Sequence, residues 1–135
     1  MIIGIGNDLC DIKRIETALE RFGRRFEERC FTQIERAKAA GRADKAGTLA
    51  KRFAAKEACS KALGSGVNGM HGIHWHDMEV GNDGAGRPTL TLTGAARTLL
   101  DTLVPAGHEA VIHLTLSDEH PLAQAFVLIE ARPRG

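Results

Sequence analysis

Apolar residues recur along the first part of the chain with two different periods, and the changes of period mark the predicted elements. Isoleucines within residues 2–5 predict a short buried strand, which leads into a glycine-loosened turn at 4–8. Over residues 12–22 the apolar positions recur at helical spacing. Asp11 stands where it can cap this helix, and Gly23 stands where it can end it.

Two more helices are predicted before the middle of the chain. The segment Thr32–Glu35 has the Ser/Thr-x-x-Glu form of a capping box, and it opens a short helix that Gly41 closes. An alanine-rich stretch over residues 44–63 predicts a long helix that ends at the glycines of 64–66. Its small side chains would let other elements approach the helix closely.

Alternation of apolar and polar residues returns in the second half of the chain. The predicted elements there are strands at 78–80 and 89–92 joined by a hairpin loop at 81–88, a helix at 95–103 capped by Thr93, and strands at 110–116 and 123–129. The order strand, helices, hairpin, helix, hairpin predicts an α+β fold with a mainly antiparallel sheet. We expect one compact domain over residues 1–135.

Composition narrows the class of protein. Of the 135 residues, 43% are hydrophobic and 26% are charged, and the net charge is +1. This balance favours a globular domain with a small core, in which oligomerisation often adds stability, and it argues against a nucleic-acid-coating protein. No apolar stretch approaches the roughly 18 residues of a membrane span, and the N-terminus lacks the basic region of a signal peptide. The three cysteines form no CxxC pair, which favours the cytoplasm.

The long predicted helix carries the main chemical signal. Glu57, Ser60, Lys61 and Gly64 follow one another at the spacings that place residues on one helical face. A carboxylate, a hydroxyl and an ammonium group on one face suit a cation together with phosphates. A solvated face with an ion pair between Glu57 and Lys61 is the simpler alternative.

Asp8 is the second candidate residue. It follows the first strand, where carboxylates commonly meet ligands, although a turn residue or a helix cap would look the same. Gly4-x-Gly6 does not complete a dinucleotide-binding fingerprint, so a Rossmann fold is not predicted. Histidines at 71, 74 and 76 have no cysteine partners at zinc-site spacing, and a polar loop is the preferred interpretation.

Residues 3–9 and 52–66 together resemble the holo-acyl-carrier-protein synthases, a bacterial family of phosphopantetheinyl transferases. The second segment is long and ordered. The resemblance covers essentially the whole chain, including Gly86-Arg87-Pro88 in the hairpin loop and the closing pair of strands. It implies the 4′-phosphopantetheinyl transferase-like fold and one transferase domain.

The resemblance also implies an activity and a set of site residues. The enzyme would move phosphopantetheine from coenzyme A to a serine of acyl carrier protein, release adenosine 3′,5′-bisphosphate and support fatty acid biosynthesis. Asp8 and Glu57 would bind Mg²⁺, which needs few protein carboxylates when a substrate brings phosphates. Lys61 would hold a phosphate oxygen and complete the catalytic set. The implied coenzyme A contacts are Arg52, Ser60, Lys61, Gly64, Gly86, Arg87 and Pro88.

Partners follow from the same resemblance. Without the resemblance, the arginines along the 12–22 helix would be interpreted as an ordinary solvated helix face. With it, Arg14, Arg21 and Arg24 are expected to dock the acidic recognition helix of acyl carrier protein. The family's usual assembly is a homotrimer with active sites at subunit interfaces, and the resemblance implies that the loop that carries Arg87 would face the pocket of an adjacent subunit.

The general base and two other classes of protein stay open at this point. A metal-bound water, or Glu57 acting through water, could accept the serine proton. Some members have a Ser-His pair where this chain has Ser117-Asp118. Asp118 could take part in a polar network or form the turn, and the turn is the preferred interpretation. The other classes are a longer, doubled transferase for peptide or polyketide carriers, and a nucleotide-binding or nucleic-acid-binding protein without catalysis. Two carboxylates together favour the enzyme.

Overall fold

Three antiparallel strands form the larger of two sheets. The computed structural model describes residues 1–135, and in it the strands are β1 (Ile2–Asp11), β4 (His108–Glu119) and β5 (Leu122–Pro133). Strand β5 is central and pairs with both neighbours, in the order β1-β5-β4. Burial alternates along it, and Ala125, Val127 and Ile129 on its inner face are fully buried. Both β1 and β4 are therefore edge strands.

Five helices and a second, two-stranded sheet complete the protein. The helices are α1 (Ile12–Phe22), α2 (Arg24–Cys30), α3 (Gln33–Ala40), α4 (Lys45–Ala62) and α5 (Gly94–Leu103). The small sheet is the hairpin of β2 (Met78–Asn82) and β3 (Pro88–Leu92), and a single 3₁₀ turn at Trp75–Asp77 precedes it. The α+β class with antiparallel sheets is confirmed. None of these helices is both long enough and apolar enough to cross a lipid bilayer.

Helix α4 lies directly on the backbone of β1. A side chain at Gly4 would overlap the carbonyl oxygen of Ala62, and one at Gly6 would overlap that of Ala58. The turn predicted for residues 4–8 is therefore wrong, because β1 continues to Asp11 with only an irregularity between Ile2 and Gly4. The glycines serve close packing of a helix against a strand. Asp8 consequently stands within the strand.

Cap chemistry explains where most helices begin. The Asp11 side chain accepts from the Lys13 amide at 2.9 Å, and Thr32 and Glu35 form both bonds of the predicted capping box. Thr93 stands at the predicted N-cap position of α5, but its side chain makes no capping hydrogen bond. Helix α2 is not predicted, because a helix of seven residues has too few apolar positions to show a period. Gly23, which ends α1, also precedes α2 as its N-cap residue.

The turn expected at Asp118 is also wrong. This residue belongs to β4 and pairs with Ala123 of β5. Its carboxylate accepts from Lys51 Nζ of α4 at 3.2 Å, so it forms a polar contact with the helix. All three cysteines are free and buried, and burial raises the pKa of Cys59 to about 12, which keeps its thiol protonated and unreactive.

Candidate active site

Asp8 of β1 and Lys61 of α4 meet at the free edge of the larger sheet. The Lys61 ammonium donates to Asp8 Oδ1 at 3.0 Å and to the carbonyl oxygen of Asn7 at 3.0 Å. The Asp8 side chain is 16% exposed and that of Lys61 is 53% exposed. The close approach of α4 to the two glycines of β1 makes this contact between residues far apart in sequence possible.

Glu57 lies one helical turn before Lys61 and belongs to the same cluster. Burial raises the pKa of its carboxyl above the usual range, and the negative charge of Asp8 raises it further. Lys61 and Arg14 oppose this effect with their positive charges. Two carboxylates thus lie close enough to repel each other in a half-buried setting. Such a pair of hard oxygen ligands attracts a divalent cation.

Ser60 keeps its predicted helical spacing from Glu57 and Lys61, but its side chain is covered. It is 1% exposed, and its hydroxyl donates to the carbonyl oxygen of Glu57 at 2.8 Å. Ser60 therefore does not reach the exposed surface beside Lys61 as the shared face suggested. Arg52, Lys56 and Ser60 follow one another at intervals of four and form a buried polar stripe.

Arg52 begins this stripe and is incompletely bonded. It is 5% exposed, and its Nε has no hydrogen-bond partner in the chain. Burial lowers the pKa of its guanidinium, the charge of Glu35 raises it, and Arg42 lowers it. A buried donor without a partner costs free energy unless a ligand supplies the acceptor. Arg36 of α3 also has an unbonded Nε.

The glycine-rich end of α4 closes the cluster. Gly64 follows the helix in the left-handed region, with φ of 78°, and is exposed. Its amide donates to the carbonyl oxygen of Lys61 at 3.0 Å, so this group is already used in ending the helix. Only backbone movement would free it for a phosphate.

Arg87 and its neighbours lie in the loop between β2 and β3. The Asp83 carboxylate accepts from the backbone amides of Ala85 and Arg87 at 2.9 Å each and thereby fixes the loop. The Arg87 side chain is exposed and makes no ion pair. Together with Pro88 it lines one end of a groove of about 1180 Å³ between β3, α5 and β4. Asp8, Glu57 and Lys61 do not line that groove.

The predicted docking arginines divide between two helices. Arg14 and Arg21 flank a shallow groove on α1, and the Arg21 guanidinium lies 5.6 Å from the ring centre of the exposed Phe22. Arg24 belongs to α2 and pairs with Glu28, so its expected place on the same helix is wrong. Arg14 alone connects this surface with the site, through its charge effect on Glu57.

Sequence patterns gave no sign of two further polar contacts of α4. Lys56 and Glu35 form a fully buried ion pair, and Lys51 pairs with Asp118. The spacing of four between Arg52, Lys56 and Ser60 was the only signal of a buried polar stripe. No three side chains of His, Cys, Asp or Glu come together, so a metal ion would need oxygen ligands beyond the protein carboxylates.

Known proteins resemble the chain over nearly its full length. A family model described as the 4′-phosphopantetheinyl transferase superfamily matches residues 4–125. The "Holo-[acyl-carrier-protein] synthase" of Rhizobium leguminosarum bv. trifolii is 59% identical over 135 residues, which are 100% of this chain and 99% of the relative.

Solved structures agree with that match. The holo-[acyl-carrier-protein] synthase of Neisseria meningitidis has a TM-score of 0.82 at 35% identity, over 96% of this chain and 99% of that chain. The corresponding protein of Helicobacter pylori, solved in complex with coenzyme A, has a TM-score of 0.77 at 29% identity, over 93% and 99% of the two chains. The resemblance predicted from residues 3–9 and 52–66 is confirmed.

Proposed function

The chain belongs to the 4′-phosphopantetheinyl transferase superfamily, and we propose that it acts as a holo-acyl-carrier-protein synthase. It transfers the 4′-phosphopantetheine group of coenzyme A to a serine of apo acyl carrier protein. The convergence of Asp8, Glu57 and Lys61 is the observation that supports the assignment of these site residues, because it puts two repelling carboxylates beside an exposed ammonium group.

Mg²⁺ fits the two carboxylates. Both are oxygen ligands, burial and then the charge of Asp8 raise the pKa of Glu57, and a bound divalent cation would favour the charged carboxylates. Mg²⁺ commonly takes one or two protein carboxylates and completes its shell with waters and substrate phosphates. We therefore assign Asp8 and Glu57 as its ligands, with the pyrophosphate of coenzyme A as the other source of oxygens. When bound, the ion neutralises negative charge that develops on the phosphates.

The residues of the chain orient the reactants. Lys61 lies beside Asp8 with its ammonium half exposed, so it can also hold a phosphate oxygen. The serine oxygen of the carrier protein forms a bond to the β-phosphorus, and the phosphoanhydride bond to adenosine 3′,5′-bisphosphate breaks. The serine proton has to leave during attack. Glu57, directly or through a water, is the acceptor that this chain offers, because it lies in the same cluster as Asp8 and Lys61.

The nucleotide of coenzyme A needs donors beyond this cluster. The unpartnered Nε of buried Arg52 supports a phosphate contact there, since an anion would satisfy it. Ser60 and Gly64 keep their expected roles near the pyrophosphate only if their present hydrogen bonds rearrange. Gly86, Arg87 and Pro88 make no hydrogen bond with the Asp8 cluster of their own chain. A site completed by the loop of a neighbouring subunit accounts for this separation.

The outer face of the larger sheet supports a homotrimer. Side chains that point away from α4 include Ile5, which is 60% exposed, and Phe126, which is 39% exposed, and Leu9 and Leu122 lie on the same face. Polar residues such as Asn7 and Gln124 alternate with them on this face, and exposed apolar side chains set among polar ones are typical of a surface that a partner covers. A second and a third copy of the chain would cover it and bring one subunit's hairpin loop to the next subunit's carboxylates.

Acyl carrier protein is the macromolecular substrate, and we assign its docking to Arg14, Arg21 and Arg24. The first two flank a groove on α1, close to Glu57 through Arg14. Exposed positive charge of this kind speeds the encounter with an acidic helix and makes it sensitive to salt.

Mass spectrometry tests the reaction directly. Incubation of the protein with coenzyme A, Mg²⁺ and apo acyl carrier protein should add one phosphopantetheine group to the carrier. Glu57→Ala should lower this turnover by about a hundredfold or more while the fold remains intact by circular dichroism. Absence of any mass gain on several carrier proteins would reject the transferase, and full activity of Glu57→Ala would reject the assigned site.

A further inference from the structure

A fully buried ion pair lies on another face of α4 from the Asp8 cluster. Lys56 Nζ and Glu35 Oε1 are 2.7 Å apart, and both side chains are 0% exposed. Lys56 also donates to the carbonyl oxygen of Trp75 at 2.9 Å. Glu35 accepts from the backbone amide of Val80 at 2.8 Å through Oε2, and from that of Thr32 at 2.8 Å through Oε1. The two charges are thus paired and bonded to backbone groups on three segments.

Those bonds connect elements that share few other polar contacts. Lys56 stands on α4, one residue before Glu57, and Glu35 stands on α3. Val80 is the middle residue of β2, and the backbone of β2 leads directly into the loop that carries Arg87. The pair therefore connects the hairpin to α4, the helix that carries Glu57, through buried contacts.

Stability alone is a weak reason for such a pair. Two buried charges lose their hydration, and an apolar pair of the same volume is often equally stable or more stable. An apolar pair cannot make directional hydrogen bonds, so it can neither accept from the Val80 amide nor donate to the Trp75 carbonyl. The specific effect of Glu35 and Lys56 is therefore to fix the position of β2 relative to α4.

The same pair also influences Arg52. This residue stands one turn before Lys56 in the buried stripe, and the charge of Glu35 acts on its guanidinium. Movement of α3 or of β2 would change both the surroundings of Arg52 and the position of the hairpin loop. These are the two places to which the proposed function assigns contacts with the nucleotide of coenzyme A.

We propose that Glu35 and Lys56 are a positioning pair for coenzyme A. They hold the Arg52 end of α4, which would contact the nucleotide in its own site, and the hairpin β2–β3, whose loop would reach the nucleotide in the neighbouring subunit's site. The pair does not touch the reacting atoms. The proposal rests on the proposed nucleotide contacts, and it requires that the pair affects binding of coenzyme A more than docking of the carrier protein.

The test compares a double variant with the wild-type protein. Glu35→Met with Lys56→Met removes both charges at similar volume, so the protein should still fold with the wild-type oligomeric mass, at a melting temperature lowered by the backbone hydrogen bonds that it loses. Its dissociation constant for coenzyme A, from titration calorimetry, should rise by about tenfold or more, because the Val80 and Trp75 bonds are lost. The KM for apo carrier protein should change by less than about twofold, because α1 is untouched.

A matched control lies on the same helix. Lys51→Met breaks the partly exposed pair with Asp118 and should leave the affinity for coenzyme A unchanged. If the double variant fails to fold, Glu35→Asp replaces it. The shorter carboxylate keeps the charge but cannot reach both Lys56 and the Val80 amide, and the same selective loss of coenzyme A affinity is expected.

Two results would overturn the proposal. One is a folded variant with wild-type affinity for coenzyme A, and the other is an equal loss for coenzyme A and carrier protein, which indicates a general effect on the fold. Calorimetry does not depend on turnover, so a wild-type protein that binds coenzyme A without transferring its arm would reject only the transferase. A wild-type protein that does not bind coenzyme A would reject both.

Discussion

At the scale of single residues, Glu57 is held in a state that costs stability. Its carboxyl is half-buried and lies near Asp8, and both influences disfavour its negative charge. In the folded chain its pKa is therefore above that of the unfolded chain. The stability that this group contributes is present below the unfolded pKa and is lost as the pH rises through the raised value.

Glu57→Gln should separate stability from activity. Gln cannot ionise, so in the absence of divalent metal the variant should melt at a higher Tm than the wild type at neutral pH, and the difference should shrink in acid. Turnover should fall by about a hundredfold or more, since one of two proposed metal ligands is lost. Calorimetric Tm from acid to neutral pH and the mass-spectrometric transfer assay measure the two effects. A variant less stable than the wild type at every pH would contradict this account.

At the scale of elements, the contact between α4 and β1 determines the spacing of the site. Gly6→Ala would push a methyl group into the carbonyl oxygen of Ala58, which is backbone and cannot rotate away. We expect a loss of about 1–3 kcal/mol in the free energy of unfolding, together with weaker metal binding as β1 moves from α4. Chemical denaturation measures the first effect. Gly84→Ala, where a methyl group would meet no atom within 4 Å, is the control and should change stability by less than about 0.5 kcal/mol.

Elements were predicted well where a local pattern specifies them. The capping chemistry of Asp11 and of Thr32 with Glu35 located the beginnings of α1 and α3, because these bonds join residues two or three apart. The turn predicted around Gly4 and Gly6 is wrong, because glycine permits both a turn and a close approach of another element. Only the contact with Ala58 and Ala62, which are distant in sequence, distinguishes the two.

The candidate site shows the same division between local and distant information. Helical spacing correctly placed Glu57 and Lys61 one turn apart. The position of Asp8 near the first strand made it a candidate, and the resemblance favoured a metal ligand over a turn residue. Spacing could not show that Ser60 is covered, because the residues that cover a helical face belong to other elements. The Glu35–Lys56 pair escaped detection for the same reason, since its partners are 21 positions apart on two helices.

At the scale of the whole molecule, the outer face of the sheet predicts the assembly. Phe126→Asp puts a charge into this exposed apolar face and should convert the proposed trimer into monomers, as measured by light scattering. Transfer should fall with it, because the Arg87 loop would no longer reach a neighbouring site. Ile34→Asp is the control, since this residue is 64% exposed on α3 and lies outside the sheet. A trimeric Phe126→Asp protein would contradict the assigned interface.

The packing of two glycines against two alanines also has a consequence for how such a protein can evolve. Any side chain at Gly4 or Gly6 meets main-chain oxygen of Ala62 or Ala58, so no single compensating substitution on α4 can make room for it. A lineage could replace these glycines only by lifting the whole helix, and Lys61 would then lose its 3.0 Å contact with Asp8. Related proteins should therefore keep this glycine–alanine contact while their loops and outer surfaces change in sequence. A library of random variants selected for transfer should show the same restriction.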